Sequence, residues 1–143
     1  MTVEPHPTGL LDTSTVILLP RISKPEVLPK LPLISAVSLA ELTVGPLVAV
    51  TEVERERRQA HLQQAEADFE PLSFDAAAAR AFGRVAASLR RAGRKPAARA
   101  YDALIAATSI ANGLPLYTVN PADFASIDEL EVVSVPHPDA AEP

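Results

Sequence analysis

Five short apolar runs, each separated from the next by a helix-forming stretch or a proline-punctuated loop, constrain this chain more than any other feature. Leu10-Leu11 and residues 31–36, 69–74, 114–119 and 130–135 have the length and content of buried strands. Strands joined through helices need crossover connections, so the expected sheet is mainly parallel, with about five strands and helices on both faces. Such a three-layer α/β/α sandwich gathers its ligand sites outside the carboxyl ends of the strands, where strands stop and helices begin.

The punctuation between the runs supports this reading. Pro20, Pro25, Pro29 and Pro32 mark a loop with at most a short helix, which reads as a simple connection or, with the helix after it, as one side of a groove for a partner. Ser35 or Ser38 is placed to cap a helix carrying Leu39, Glu41 and Leu42, which Gly45-Pro46 ends or kinks. Residues 51–67 are rich in helix formers and charge with an ill-defined apolar side, as expected of a peripheral helix. Asp75 caps an alanine-rich helix that Gly93 closes; Pro96 opens a further, largely apolar helix that stops at Gly113. The domain is expected over residues 9–135, between a flexible amino tail at 1–8 and a flexible carboxyl tail at 136–143.

At 143 residues the chain is long enough for one domain that buries roughly two-thirds of its unfolded surface, so folding needs no metal or disulfide. There is no cysteine, which excludes a disulfide scaffold, a thiolate zinc site and a Cys nucleophile. No stretch has the apolar length for a membrane span, and MTVEPHPTG lacks the basic start and apolar centre of a signal peptide; a cytoplasmic location is expected. The net charge of -5 argues against nucleic acid as a partner only until the distribution is considered. Residues 76–101 contain no acid and seven of the 13 basic residues: Arg80, Arg84, Arg90, Arg91, Arg94, Lys95 and Arg99. That window reads as a solvated helix face, or as a track for phosphates or for an acidic partner segment.

Four acids stand at comparable places in this scheme. Asp12 ends the first run, Glu41 follows the second, Asp102 lies near the start of the apolar helix, and Asp123 follows the fourth run in LYTVNPADF. Each has a local reading: Asp12 as a helix cap, Glu41 completing a capping box with Ser38, Asp102 capping a late-starting helix, Asp123 as a turn residue. None has a Lys or Arg immediately adjacent. Carboxylates brought together unpaired would repel and raise one another's pKa, which a divalent cation relieves. An oxygen-only set suits Mg²⁺ or Mn²⁺, whereas zinc would draw His or Cys. His6, His61 and His137 fall in the amino tail, a charged helix and the carboxyl tail and read as surface residues, which speaks against a His-pair nuclease or a Ser-His-Asp hydrolase. GxxxxGK[ST] and GxGxxG loops are missing, and Ser14 stands where an aspartyl-phosphate phosphatase needs a second aspartate. Carboxylate-held metal acting on a phosphodiester remains.

The blocks LLDTSTVILL, SAVSLAEL and YDALIAATSIANGLPLYTVNPADF, in this order, resemble the PIN-domain ribonucleases, and within them the VapC-like toxins of bacterial toxin–antitoxin pairs. The resemblance implies a PIN-like fold over 9–135 and a site of Asp12, Glu41, Asp102 and Asp123 that acts in catalysis and holds Mg²⁺ or Mn²⁺, with Ser14 and Asn120 steadying the metal shell. It further implies endonucleolytic cleavage of RNA, a homodimer, and a small VapB-like antitoxin that blocks the site. The chain departs from the family at Val119, where a basic residue often precedes the asparagine. With 4% aromatics and no Trp, the grip on RNA is expected from Arg84, Arg90, Arg91, Arg94, Lys95 and Arg99 rather than from stacking. Two other readings compete: a PIN-like RNA- or protein-binding module that no longer cuts, and a small-phosphate hydrolase on another doubly wound fold.

Overall fold

The computed structural model describes residues 7–140. Of the tails expected at 1–8 and 136–143, residues 1–6, with His6, and 141–143 lie outside the described residues, while Thr8 already belongs to the first strand.

Four strands form one parallel sheet: β1 (Thr8–Leu11), β2 (Leu31–Leu33), β3 (Leu116–Thr118) and β4 (Val132–Ser134), in the order β2-β1-β3-β4. Five α-helices complete the fold: α1 (Thr13–Leu18), α2 (Ala36–Leu47), α3 (Glu52–Asp68), α4 (Ala76–Arg91) and α5 (Ala100–Ala111). The fifth strand expected at residues 69–74 is reduced to a single bridge. Leu72 N–H donates to Ile34 O at 2.9 Å and Leu72 O accepts from Ala36 N–H at 2.8 Å. Pro71, which has no N–H, stands directly before that bridge and limits how far it can extend into a ladder.

Strand alternation sends neighbouring side chains to opposite faces and creates two cores. Leu10 and Leu116 join Ala81, Val85 and Leu89 of α4 and Ile105 and Ala106 of α5 on one face. Leu11 and Tyr117 join Val16 of α1, Leu42 of α2 and Ala65 of α3 on the other. The result is the expected three-layer sandwich. Because α5 is apolar on nearly every side, Ala103, Ile105, Ala106, Ala107, Thr108 and Ser109 are all buried.

Helix boundaries follow their capping chemistry. Ser35, Thr51 and Asp75 each accept a backbone N–H three residues on. Gly93 (φ +76°) and Gly113 (φ +63°) take the left-handed conformation that closes α4 and α5. Pro96 opens not the helix but a 3₁₀ turn over Pro96–Arg99, so α5 begins only at Ala100. At the tip between α2 and α3, Leu47, Val48, Val50 and Val53 are exposed. After β4 the chain turns through residues 136–140, where Asp139 pairs with Arg21.

Candidate active site

All four acids stand at the carboxyl end of the sheet, and each is delivered by a different element. Asp12 follows β1 directly and caps α1, as its local reading expected. Its Oδ1 accepts the Thr15 N–H at 3.1 Å and also the Thr15 hydroxyl, and its Oδ2 accepts from Thr118 Oγ1 at 2.7 Å. The residue is only 4% exposed, and that burial pushes its carboxyl above the usual range against the pull of the Thr15 and Thr118 donors. The Asp123 charge adds to the upward shift.

Glu41 lies within α2 and takes no part in a capping box, because Ser35, not Ser38, caps that helix. Thr13 Oγ1 stands 2.6 Å from Glu41 Oε1 and 2.9 Å from Ser38 Oγ. A hydroxyl has one proton and a carboxylate only accepts, so Thr13 donates to Glu41 and Ser38 donates to Thr13. Burial raises the Glu41 carboxyl, with a further push from Asp12.

Asp102 sits in the first turn of α5 and caps nothing. Its carboxyl is pushed up to about 6 by burial first, then by the charges of Asp123, Glu41 and Asp12, with Arg99 opposing. Asp123 lies on the 3₁₀ turn Pro121–Phe124, and its Oδ1 is 2.7 Å from Arg99 Nη1. The same Nη1 is 3.6 Å from Asp102 Oδ2. The charges of Asp123, Glu41 and Asp12 all act on Asp102, so the four acids lie within electrostatic reach of one another. Glu41 and Asp102 face an open cleft of about 440 Å³, lined also by Arg99, Ala100 and Tyr101.

The oxygen-only donor set fits a hard dication chemically. Among the described residues, however, no three acidic or histidine side chains converge closely enough to hold one ion in this conformation. Like charges spread apart, and the Arg99 guanidinium lies against two of them. With Asp12 and Glu41 held by threonine hydroxyls, ligation of one ion by three of these acids would require Asp102 or Asp123, the two that Arg99 contacts, to turn toward them.

Ser14 and Asn120 are both exposed. The hydroxyls that steady the acids are those of Thr13, Thr15 and Thr118, three residues that sequence reasoning passed over. DTST and LYTVN show hydroxyls beside the predicted residues, but nothing in either stretch says which of them meets a carboxylate. Val119 is buried, its N–H donating to Thr15 Oγ1 at 3.1 Å, so that position is built into the core.

The acid-free window in sequence is not acid-free in space. Arg84 pairs with Glu129 at 3.0 Å and Arg91 with Asp128 at 2.7 Å, both acids reaching over from the loop before β4. Arg90, Arg94 and Lys95 are exposed, and Arg94, Lys95 and Arg99 line a second cleft of about 320 Å³. Of the histidines, His61 lines a cleft between α1 and α3, and His137 accepts the Asp139 N–H.

The family model described as PIN domain matches residues 10–130, a span that includes all four acids. The chain belongs to the PIN-domain family. This PIN domain is 36% identical over 129 residues to Ribonuclease VapC5 of Mycobacterium tuberculosis, covering 89% of this chain and 93% of that protein. It is similar in structure to VapBC-5, a member of the VapBC family of toxin–antitoxin systems from the same organism. There the TM-score is 0.77 and the identity 35%, over 90% of this chain and 99% of that one. The likeness extends to VapBC2 from Rickettsia felis, solved bound to a DNA fragment from its promoter, with a TM-score of 0.69 and 25% identity over 87% of this chain and 96% of that one.

Proposed function

We propose that this PIN domain is a Mg²⁺- or Mn²⁺-dependent endoribonuclease, the toxin of a cytoplasmic toxin–antitoxin pair. The observation that carries the reading is that Asp12, Glu41, Asp102 and Asp123, acids from four separate elements, are gathered at one end of the sheet, Glu41 and Asp102 on one cleft and Asp102 and Asp123 against the same Arg99. Family membership and the ribonuclease and VapBC relatives support it.

In this reading the dication, when bound, polarises the scissile phosphate and lowers the pKa of an attacking water. The chain's own part is positioning. Thr15 and Thr118 lock Asp12 in one orientation, and Thr13 does the same for Glu41, so two of the acids are pre-organised before any ligand arrives. Glu41 and Asp102 open onto the cleft, where one of them orients the water. Exposed Arg90, Arg94 and Lys95 hold the RNA backbone; Arg84 and Arg91 join them by exchanging exposed carboxylate partners for phosphates, at little cost. Arg99 is the sixth member of this basic set, and exposed Ser14 and Asn120 are the small polar groups that would steady a bound metal.

A VapB-like antitoxin blocks this site, and the toxin pairs with a second copy of itself. The apolar tip at Leu47, Val48, Val50 and Val53 and the cleft of about 400 Å³ lined by Val16, Ile17, Leu19, Pro20 and Phe69 are surfaces suited to such protein contacts. No helix among the described residues is long and apolar enough to cross a membrane.

The deciding experiment incubates the purified chain with total cellular RNA in Mg²⁺ and in excess chelator. Discrete fragments with 5′-phosphate ends are expected only with Mg²⁺. Equal cleavage in chelator refutes the metal reading, and no cleavage together with no Mn²⁺ binding favours a module that only binds.

A further inference from the structure

Among the described residues, Arg99 is the cation paired with two of the four carboxylates, and it also borders the basic cleft. Its Nη1 is 2.7 Å from Asp123 and 3.6 Å from Asp102, yet the side chain remains 43% exposed. It lines the acidic cleft with Glu41 and Asp102, and the neighbouring cleft with Arg94 and Lys95. The side chain is carried at the end of a short 3₁₀ turn, and no capping bond ties it to the start of α5.

We propose that Arg99 is the resident counter-ion of the carboxylate cluster, displaced when a dication binds and transferred to an RNA phosphate beside Arg94 and Lys95. This rests on the metal-dependent reading above. Without a dication, the guanidinium offsets part of the repulsion between Asp102 and Asp123. A dication offers the same carboxylates a larger and more compact charge, so the two cations compete for one place. The competition is easily lost by Arg99, because a partly exposed ion pair adds little stability. Once released, a planar fork of donors next to two further cations is well matched to a phosphate oxygen pair. Metal binding and phosphate binding then favour each other, and linkage requires the coupling to be reciprocal.

The role predicts two effects of opposite sign from one substitution. The test is Mn²⁺ titration of the wild-type chain and of Arg99→Gln and Arg99→Lys, following free Mn²⁺ by electron paramagnetic resonance and fold by circular dichroism. Sulfate serves as the phosphate probe against chloride of equal ionic strength, with Mn²⁺–sulfate pairing corrected from protein-free samples. Arg99→Gln is expected to bind Mn²⁺ about two- to five-fold more tightly than wild type. Sulfate is expected to tighten Mn²⁺ binding to wild type and not to Arg99→Gln, with Arg99→Lys between the two. Equal or weaker Mn²⁺ binding by a folded Arg99→Gln overturns the counter-ion role, and an equal sulfate effect in both proteins overturns the transfer. Absence of Mn²⁺ binding by wild type overturns the metal reading itself and this proposal with it.

Discussion

Thr118 Oγ1 donates to Asp12 Oδ2 at 2.7 Å, which ties the last residue of β3 to the carboxylate that ends β1. The bond crosses adjacent parallel strands and fixes the second oxygen of an acid whose first is already held by Thr15. Removing it with Thr118→Val preserves shape and leaves a buried carboxylate oxygen without its donor. The expected cost is about 1–3 kcal/mol in a urea melt. RNA cleavage is expected to fall about 10-fold, in line with losing a group that orients a metal ligand.

Asp12→Asn keeps an oxygen for the Thr15 N–H, and its amide can donate to Thr118 once that hydroxyl rotates. The capping function therefore survives while the charge is lost. Cleavage is expected to drop by at least about 100-fold, with stability within about 1 kcal/mol of wild type. Single-turnover rates and denaturant midpoints check the two arms separately, and a large loss of stability with proportionate loss of activity would reduce Asp12 to its cap.

The carboxyl of Asp102 is pushed up to about 6, so between its ordinary value of 3.8 and that point the folded chain binds more protons than the unfolded one. Stability of the metal-free protein is therefore expected to fall as pH rises through that window, with Asp12 and Glu41 shifted in the same direction. Thermal melts in chelator at about pH 5 and about pH 7.5 should show the higher midpoint at the acid end. Asp102→Asn is expected to flatten the trend.

Mg²⁺ is expected to reverse that order. A ligand bound only by the folded state adds about 2.7 kcal/mol at a hundred times its dissociation constant. The gain should be large at neutral pH, where the acids are ionised, and small near pH 5, where Asp102 is mostly protonated. A pH-independent shift in melting midpoint would place the ion elsewhere on the protein.

Gly9→Ala tests the packing beneath the site. A Cβ at Gly9 would lie 2.7 Å from Tyr117 Cε1 and 3.2 Å from Pro29 Cβ, and Tyr117 is buried. The strands must move apart or the ring must shift, at a cost of about 1–3 kcal/mol measured by denaturation.

The sequence by itself determined the architecture and the positions of the four acids. Alternating apolar runs and capped helices demand a covered parallel sheet, and a parallel sheet places Asp12, Glu41 and Asp123 where its strands end. Asp102 joined them through the resemblance of YDALIAAT to the PIN-domain family, since an apolar helix must be buried but does not by itself say at which end of the sheet it starts. Only the tertiary structure decided the rest. Residues 69–74 have the content of a strand, but pairing requires a partner edge and free N–H groups, and Pro71 stands beside the one residue that finds both. Thr13, Thr15 and Thr118 look no different in sequence from Ser14, because which hydroxyl meets a carboxylate depends on helix phase and on strands joined across about a hundred residues. Arg99 read as one of seven basic residues in an acid-free window, yet Asp102 and Asp123 reach it in space. Charge is legible in a sequence, but the company it keeps is set by the fold, since Coulomb energy depends on distance through space and not on separation along the chain.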